Sequence, residues 1–477
     1  MTSQNEQKLP LRSLTAMVVG SMVGAGIFNL PGRFATATGP FGAIIAWAIA
    51  GTGMYMLARV FQALAEKRPD IDNGVFAYAK SGFGDYVGFL SAFGYWISAI
   101  LGNTFYWVLI GTTLARFFPE LFGDGTSAFS IILSLAGVWA FHFMILRGVK
   151  QATFVNTVVT IAKIVPLIVA VLLFVFFFNY AQFSENFFGG VNMPEKSLVM
   201  QVRDTMLITV FVFLGIEGAS VYSRFAQKRS DVGAATILGF VGVTGLMVAI
   251  TLFPYATAPR AAIAGVVNPS LAGALELVVG HWGAVMISIG VLVSVLGAFL
   301  AWTLIAAEVP FAAGKSKDMP RLFAAQNAND VPSNALWISN IIVSLFIVST
   351  YWSRDAFNFM LDMCSVMSLL PYLLVAGYGL LVARAGTGYE AAQGARGRDQ
   401  VFAGIAVVYT LFMFVAAGLK YVLLMTVLFA PGTILYYWAR REQNARLFTP
   451  VELGIFVVVL IGAAIGTYGL LTGTITP

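Results

Sequence analysis

The chain has 477 residues, of which 59% are hydrophobic and 10% charged, and its mean hydropathy is +0.84. A soluble domain carries roughly 25% charged residues, so a water-facing surface around the whole chain is excluded and lipid must take its place. The net charge of +6 would suggest nucleic acid in a soluble protein; here it belongs to the loops between spans, and no nucleic-acid partner is expected. One cysteine, Cys364, excludes an internal disulfide and any cysteine-rich metal site.

The polar first eight residues lead straight into an apolar segment of full membrane length, so no cleavable signal peptide is expected. Apolar runs of about 20 residues, enough to cross about 30 Å of hydrocarbon, recur from there on. They predict thirteen spans, near 12–37, 41–65, 86–117, 128–146, 151–178, 200–224, 232–257, 283–312, 334–350, 356–384, 401–417, 420–439 and 452–473. Segment 73–84 is short, amphipathic and punctuated by glycine, and reads as an interfacial helix. Spans eleven and twelve form one long apolar region that must turn back near Gly418-Leu419-Lys420.

The Lys/Arg distribution sets the orientation. With a cytoplasmic N-terminus, twenty of the 28 basic residues fall on the cytoplasmic side and seven on the other, leaving Lys163 inside a span. A miscounted span would invert the alternation downstream and the bias would fade; it does not.

Spans one and six each hold a glycine cluster, Gly20 to Gly26 and Gly215 to Gly218. Glycine adds backbone entropy in a helix interior and removes a packing side chain. Two such clusters, half a chain apart, predict helices broken to expose backbone to a solute, as in inverted-repeat carriers. Five spans is an odd number, so residues 12–178 and 200–384 enter the membrane from opposite sides as inverted repeats, with accessory spans in 401–473.

Unwound backbone is tolerated in lipid only around a cavity or within protein. N–H groups freed at Ala25 and Gly26, at the positive end of the next half-helix, suit a carboxylate, and freed carbonyls near Met22, Phe211 and Leu214 suit an α-ammonium group. Together they point to an amino-acid zwitterion. The competing reading makes Gly20 and Gly24 a GxxxG packing motif.

Glu217, mid-span beside the second break, is either a cavity-lining acid that attracts a cation or takes up a proton, or a brace satisfied by backbone N–H groups. Lys163, the only cation well inside a span, is placed to stand where a sodium ion would sit, tying span five to spans one and eight; the alternative is snorkelling to the interface. Trp302 is a candidate gate that stacks on a cationic solute, or a belt residue; Phe211 is a weaker case of the same kind. Asn103 and Tyr106 share a face of span three. Glu308 and Asp362 also fall within spans, Glu308 near an end where Lys315 could pair with it. His142 reads as a satisfied interface histidine. No metal constellation and no glycine-rich phosphate loop occurs, so no cofactor, no catalytic cluster and no ATP-driven pump is expected.

The run Gly24-Ala25-Gly26-Ile27-Phe28-Asn29-Leu30-Pro31 and the run Phe213-Leu214-Gly215-Ile216-Glu217-Gly218-Ala219 resemble the span-one and span-six signatures of the amino acid–polyamine–organocation superfamily. Within it the chain is similar to the bacterial basic amino acid/polyamine antiporters, with further matches at Ser98, Ala99, Gly102, Asn103, Gly297 and Trp302. The likeness is greatest to the arginine/ornithine branch, through runs 72–79, 142–149 and 306–311 and the thirteenth span. The resemblance implies an all-α polytopic inner-membrane protein with a LeuT-like 5+5 inverted repeat, discontinuous helices one and six, and three C-terminal spans. It implies Na⁺-independent exchange of arginine for ornithine by alternating access. Other amino acid/amine pairs (histidine/histamine, lysine/cadaverine) and proton-coupled uptake remain open, and a homodimer is compatible with it. By the same resemblance the substrate carboxylate meets backbone at Met22, Ala25 and Gly26, and its amine meets carbonyls of Met22, Phe211 and Leu214. The guanidinium meets Ser98, Ala99 and Asn103, and Trp302 gates. Phe211 stands where the arginine/agmatine relative has tryptophan, which weakens cation–π clamping, and Lys163 resembles the span-five lysine of sodium-independent members.

Overall fold

The computed structural model describes residues 11–71, 75–148, 152–190, 195–217, 229–353, 355–390 and 393–475. Among these all regular structure is helical. In chain order, α1 (Leu11–Met22), a 3-10 turn (Ala25–Asn29) and α2 (Leu30–Ala37) make up the first segment. Next come α3 (Pro40–Lys67), α4 (Val75–Phe83), α5 (Asp85–Ala115), α6 (Pro119–Phe122), α7 (Ala128–Leu146), α8 (Ala152–Phe176) and α9 (Tyr180–Asn186). The sixth segment holds α10 (Leu198–Arg203) and α11 (Met206–Phe213), followed by α12 (Arg229–Leu252), α13 (Arg260–Ala264) and α14 (Ser270–Val279). The chain closes with α15 (His281–Lys315), α16 (Ser333–Ser349), α17 (Ala356–Ala385), α18 (Gln393–Glu442) and α19 (Pro450–Leu471).

Nine helices among the described residues are long and apolar enough to cross a bilayer, and a tenth is reached if the pair Lys163–Phe176 and Tyr180–Asn186, bent by 101°, is one crossing. Thirteen segments were expected, and the difference has two physical causes. Segments one and six are interrupted, so neither forms one long rod. Expected spans eleven and twelve run together as α18, kinked at Gly418 (φ 79°, ψ 165°) where the sequence marks a turn; only glycine takes that backbone without strain. The interfacial helix appears as α4, with Asn73 and Gly74 outside the described residues.

The chain divides into two compact units. The first comprises Met1–Ile71, Thr160–Gly290 and Gly379–Tyr409, the second Asp72–Val159, Val291–Tyr378 and Thr410–Pro477. In the first, α1 packs on α12, α2 on α13 and α14, and α3 on α10, α11 and α12. An aromatic chain fixes these contacts: Phe34 stacks on Trp47 at 5.6 Å, Trp47 meets Phe213 edge-on at 6.0 Å, and Phe213 stacks on Phe240 at 5.4 Å. Such pairs add about 0.5–1.5 kcal/mol each beyond their burial. Buried Arg260 secures the far end of α2: its Nη1 donates to Ala35 O (2.7 Å) and its Nε to Gly189 O (2.6 Å). Ala35 lies in the last turn of α2, where carbonyls have no helical partner and the helix end is negative.

In the second unit α5 is the core. Of its most apolar window 94% is buried, against 22% for α19, whose sides face lipid. α4, α6, α7 and α16 pack on α5. Its start is pinned by Glu452, which accepts from Tyr86 N (2.8 Å) and also completes a capping box with Thr449 at the start of α19. Lys80 of α4 pairs with Asp318 at 2.6 Å and Asp85 at 3.5 Å, and Arg440 pairs with Asp85 at 2.9 Å. Through these charges and Glu452 the accessory helices α18 and α19 anchor α4 and α5.

Candidate functional site

Helix α1 stops at Met22 because Gly24 is extended (φ −103°, ψ −168°). Its N–H turns back to Met22 O at 2.9 Å instead of reaching Gly20 O, its partner in a continuous helix. Gly20 O is therefore orphaned at the negative end of α1, and Lys163 Nζ fills the gap at 2.7 Å. Lys163 is buried, 5% exposed, and this bond joins span five to span one. The 3-10 turn that follows leaves the leading N–H groups, those of Ala25 and Gly26, without partners inside it. Both residues are buried.

The second break begins at Leu214 (φ −57°, ψ 136°), with Gly215 in the left-handed region at φ 100°. Leu214 N bonds to Phe211 O and Ile216 N to Phe213 O, both at 3.2 Å. The Gly215 N–H, turned out of this pattern, donates to Glu217 Oε2 at 3.1 Å. Glu217 is 7% exposed and braces its own break through a backbone N–H. Gly218 and Ala219 lie outside the described residues. The expectation of bare carbonyls at Met22 and Phe211 needs correction: each already accepts an N–H from the turn that closes its break. Leu214 is buried beside them in sequence.

The two breaks meet at Gly26. A Cβ built there would come within 2.6 Å of Phe211 Cδ1 and 2.8 Å of Val212 Cγ1, whereas one at Gly24 would meet nothing within 4 Å. The glycine at position 26 is thus required by the approach of segment six. At Gly24 no described residue comes so near, so nothing among the described residues supports GxxxG packing there.

The second unit gathers the side-chain candidates on α5 and α15. Asn103 is fully buried and its Nδ2 donates to Thr303 Oγ1 at 3.5 Å, while its Oδ1 has no partner among the described residues. Trp302 is half-buried and its ring lies 6.4 Å from Tyr95, inclined at 47°. Ala99, Asn103 and Tyr106 follow one face of α5, all buried. Ser98 does not join them. Its hydroxyl is fastened to α17, donating to Cys364 O (2.8 Å) and pairing with Ser368 Oγ (2.6 Å). Sequence reasoning missed Thr303 and Tyr95. Tyr95 was findable, since Tyr95, Ala99 and Asn103 recur every four residues on the Asn103 face.

Asp362 is buried and accepts from Tyr421 Oη at 3.0 Å, a tie between α17 and α18. Glu308 is exposed on α15, and Lys315 Nζ lies over the Phe311 ring at 4.3 Å. His142 is buried rather than interfacial, its Nδ1 3.0 Å from Asn340 Nδ2. Among the described residues no group of three or more His, Cys, Asp or Glu could hold a metal ion.

A multi-pass helical membrane protein whose first and sixth segments both break at buried backbone is a transporter of LeuT-like fold. The solved structure of MhsT in complex with L-phenylalanine matches it with a TM-score of 0.58 at 17% identity, covering 85% of this chain and 98% of that one. The chain belongs to the amino acid permease family, whose sequence model spans residues 9–439. It is 47% identical to an arginine/ornithine antiporter of Pseudomonas aeruginosa over 482 residues, 100% of both chains. It is 37% identical to an arginine/agmatine antiporter of Chlamydia pneumoniae over 456 residues, 94% of each.

Proposed function

We propose that this permease exchanges arginine for ornithine by alternating access, without sodium, in the bacterial inner membrane with its N-terminus cytoplasmic. The observation that carries the substrate pair is the 47% identity, end to end, with a relative named for that exchange. The geometry is compatible with it. In the first unit the N–H groups of Ala25 and Gly26 suit the substrate carboxylate, and the backbone carbonyls of Met22, Phe211 and Leu214 suit its ammonium group. By the resemblance the cationic side chain meets α5, where Asn103 Oδ1 has no partner among the described residues and Tyr106 follows the same face, with Trp302 and Tyr95 as aromatic covers. Ser98 and Ala99 contribute the wall of α5.

Lys163 supports sodium independence, because its amine donates to Gly20 O at the first break, where by the resemblance a sodium-coupled relative would hold its ion. Both solutes carry one positive charge at neutral pH, so one-for-one exchange moves no net charge and is driven by the two concentration gradients. Residues 12–178 and 200–384 act as inverted repeats in this reading, and 401–473 as accessory spans.

Counterflow in proteoliposomes tests it. Labelled arginine should enter vesicles loaded with ornithine, be unaffected when choline replaces Na⁺, and generate no membrane potential. A strict Na⁺ requirement would sink the role given to Lys163. Electrogenic exchange, or trans-stimulation by agmatine, histamine or cadaverine instead of ornithine, would replace the substrate pair.

A further inference from the structure

Outside the transport elements, the first unit holds a shallow recess between the end of α3, the end of α17 and the start of α18. Arg59, Lys67 and Tyr389 line it together with Asp399 and Phe402. Its chemistry is cationic and aromatic. Lys67 Nζ lies over the Tyr389 ring at 4.9 Å, and the guanidiniums of Arg59 and Arg398 both lie against Phe402, at 5.7 and 5.8 Å. The one carboxylate in the recess, Asp399, is already engaged. It is buried, accepts from Tyr389 Oη at 3.0 Å and pairs with Arg398 Nε at 3.3 Å. Arg59 and Lys67 therefore line the recess beside an anion already engaged by the adjoining Arg398, with Glu66 acting on Tyr389 from nearby, and the recess is too small to enclose a soluble metabolite.

The same helix supplies a second observation. From Arg398 and Phe402, α18 continues with Val401, Ile405 and Val408, which are 58%, 38% and 68% exposed. Spaced by four and three residues, they form one apolar stripe, and in a membrane protein that stripe lies in hydrocarbon. Charge at the helix start and hydrocarbon contact directly below match a molecule with a phosphate head and acyl chains. Basic pockets at the ends of transmembrane helices bind anionic headgroups in this way.

We propose that this recess is a binding site for an anionic phospholipid, its phosphate held by Arg59, Lys67 and Arg398 and its acyl chains laid along Val401, Ile405 and Val408. The site is independent of the transported solute.

The test uses the full-length purified protein. Its thermal stability is followed while phosphatidylglycerol, phosphatidylcholine or inorganic phosphate is titrated in. Phosphatidylglycerol alone should stabilise. Removing two of the cations in Lys67→Gln/Arg398→Gln should raise its half-saturating concentration roughly 25-fold, about fivefold per cation at about 1 kcal/mol each. Independently of how that variant folds, a photoactivatable phosphatidylglycerol with its probe on the acyl chain is also cross-linked to the unaltered protein. Labels should fall on Val401, Ile405 or Val408. Equal stabilisation by inorganic phosphate would assign the recess to a free anion, and undiminished phosphatidylglycerol response in the double variant, or labels spread evenly over the other lipid-facing helices, would overturn the proposal.

Discussion

The two helix breaks of the first unit are repaired by opposite charges. At the first, the orphan is a carbonyl, Gly20 O, and the repair is a cation brought from span five, Lys163 Nζ. At the second, the orphan is an N–H, that of Gly215, and the repair is an anion two residues away, Glu217. Each charge answers the polarity of the helix end that the break exposes. The first repair is long-range and couples separate spans; the second is local and closes its own turn. A break mended from a distance is sensitive to movement of the distant element, whereas one mended from within is not.

The strongest challenge to this contrast is steric. Gly26→Val should abolish exchange, because its side chain would enter the space of Phe211 and Val212 and force the two breaks apart, an overpacking cost of about 1–3 kcal/mol. Gly24→Ala should retain exchange within about twofold, since its Cβ meets nothing and the backbone there is extended. Equal damage from both, measured by arginine counterflow, would return the glycines to a helix-packing role.

Next in size is Lys163→Met. It leaves the half-buried Gly20 O without that donor, which costs on the order of 1 kcal/mol, and thermal unfolding of the purified protein should report that loss together with a fall in exchange. A smaller effect separates the two roles open to Glu217. As a brace, Glu217→Gln keeps an oxygen for the Gly215 N–H and should preserve stability and exchange, while Glu217→Ala should lose about 1 kcal/mol. If exchange collapses equally in both variants with stability intact, the charge itself is what transport uses.

The smallest effect is a control in the second unit, away from both breaks. Burial draws the Lys80 ammonium below the usual lysine value, but the Asp318 and Asp85 carboxylates outweigh it and hold it above. Its contribution to stability is therefore complete below the ordinary lysine value of 10.5 and fades only as pH rises past its raised folded value. Melting curves of wild type and Lys80→Met should run parallel at neutral pH and converge only in strong alkali.

Much of this was legible in the residues. Glycines inside an apolar run marked the first break, because composition alone makes a continuous helix costly there, and Gly418 marked the kink in α18 for the same reason. Lys163 announced itself as the lone deep cation. What could not be read was long-range geometry. That Gly20 supplies the acceptor depends on Gly24 N turning to Met22, a choice of register no motif encodes. Ser98 and Asn103 are near in sequence, yet five residues along a helix put them on different faces, one bonded to α17 and the other to α15. The tie from Asp362 to Tyr421 likewise joins residues that only the packing of α17 against α18 brings together.

The Arg260 clamp has a mechanical corollary. With its guanidinium gripping Ala35 and Gly189, α2 is welded to the loop at 189 and to α13, so the second half of span one moves with them as a single plate. A plate of that kind cannot flex along its length; the joint left between it and α1 is the extended Gly24, and rocking of this segment pivots there.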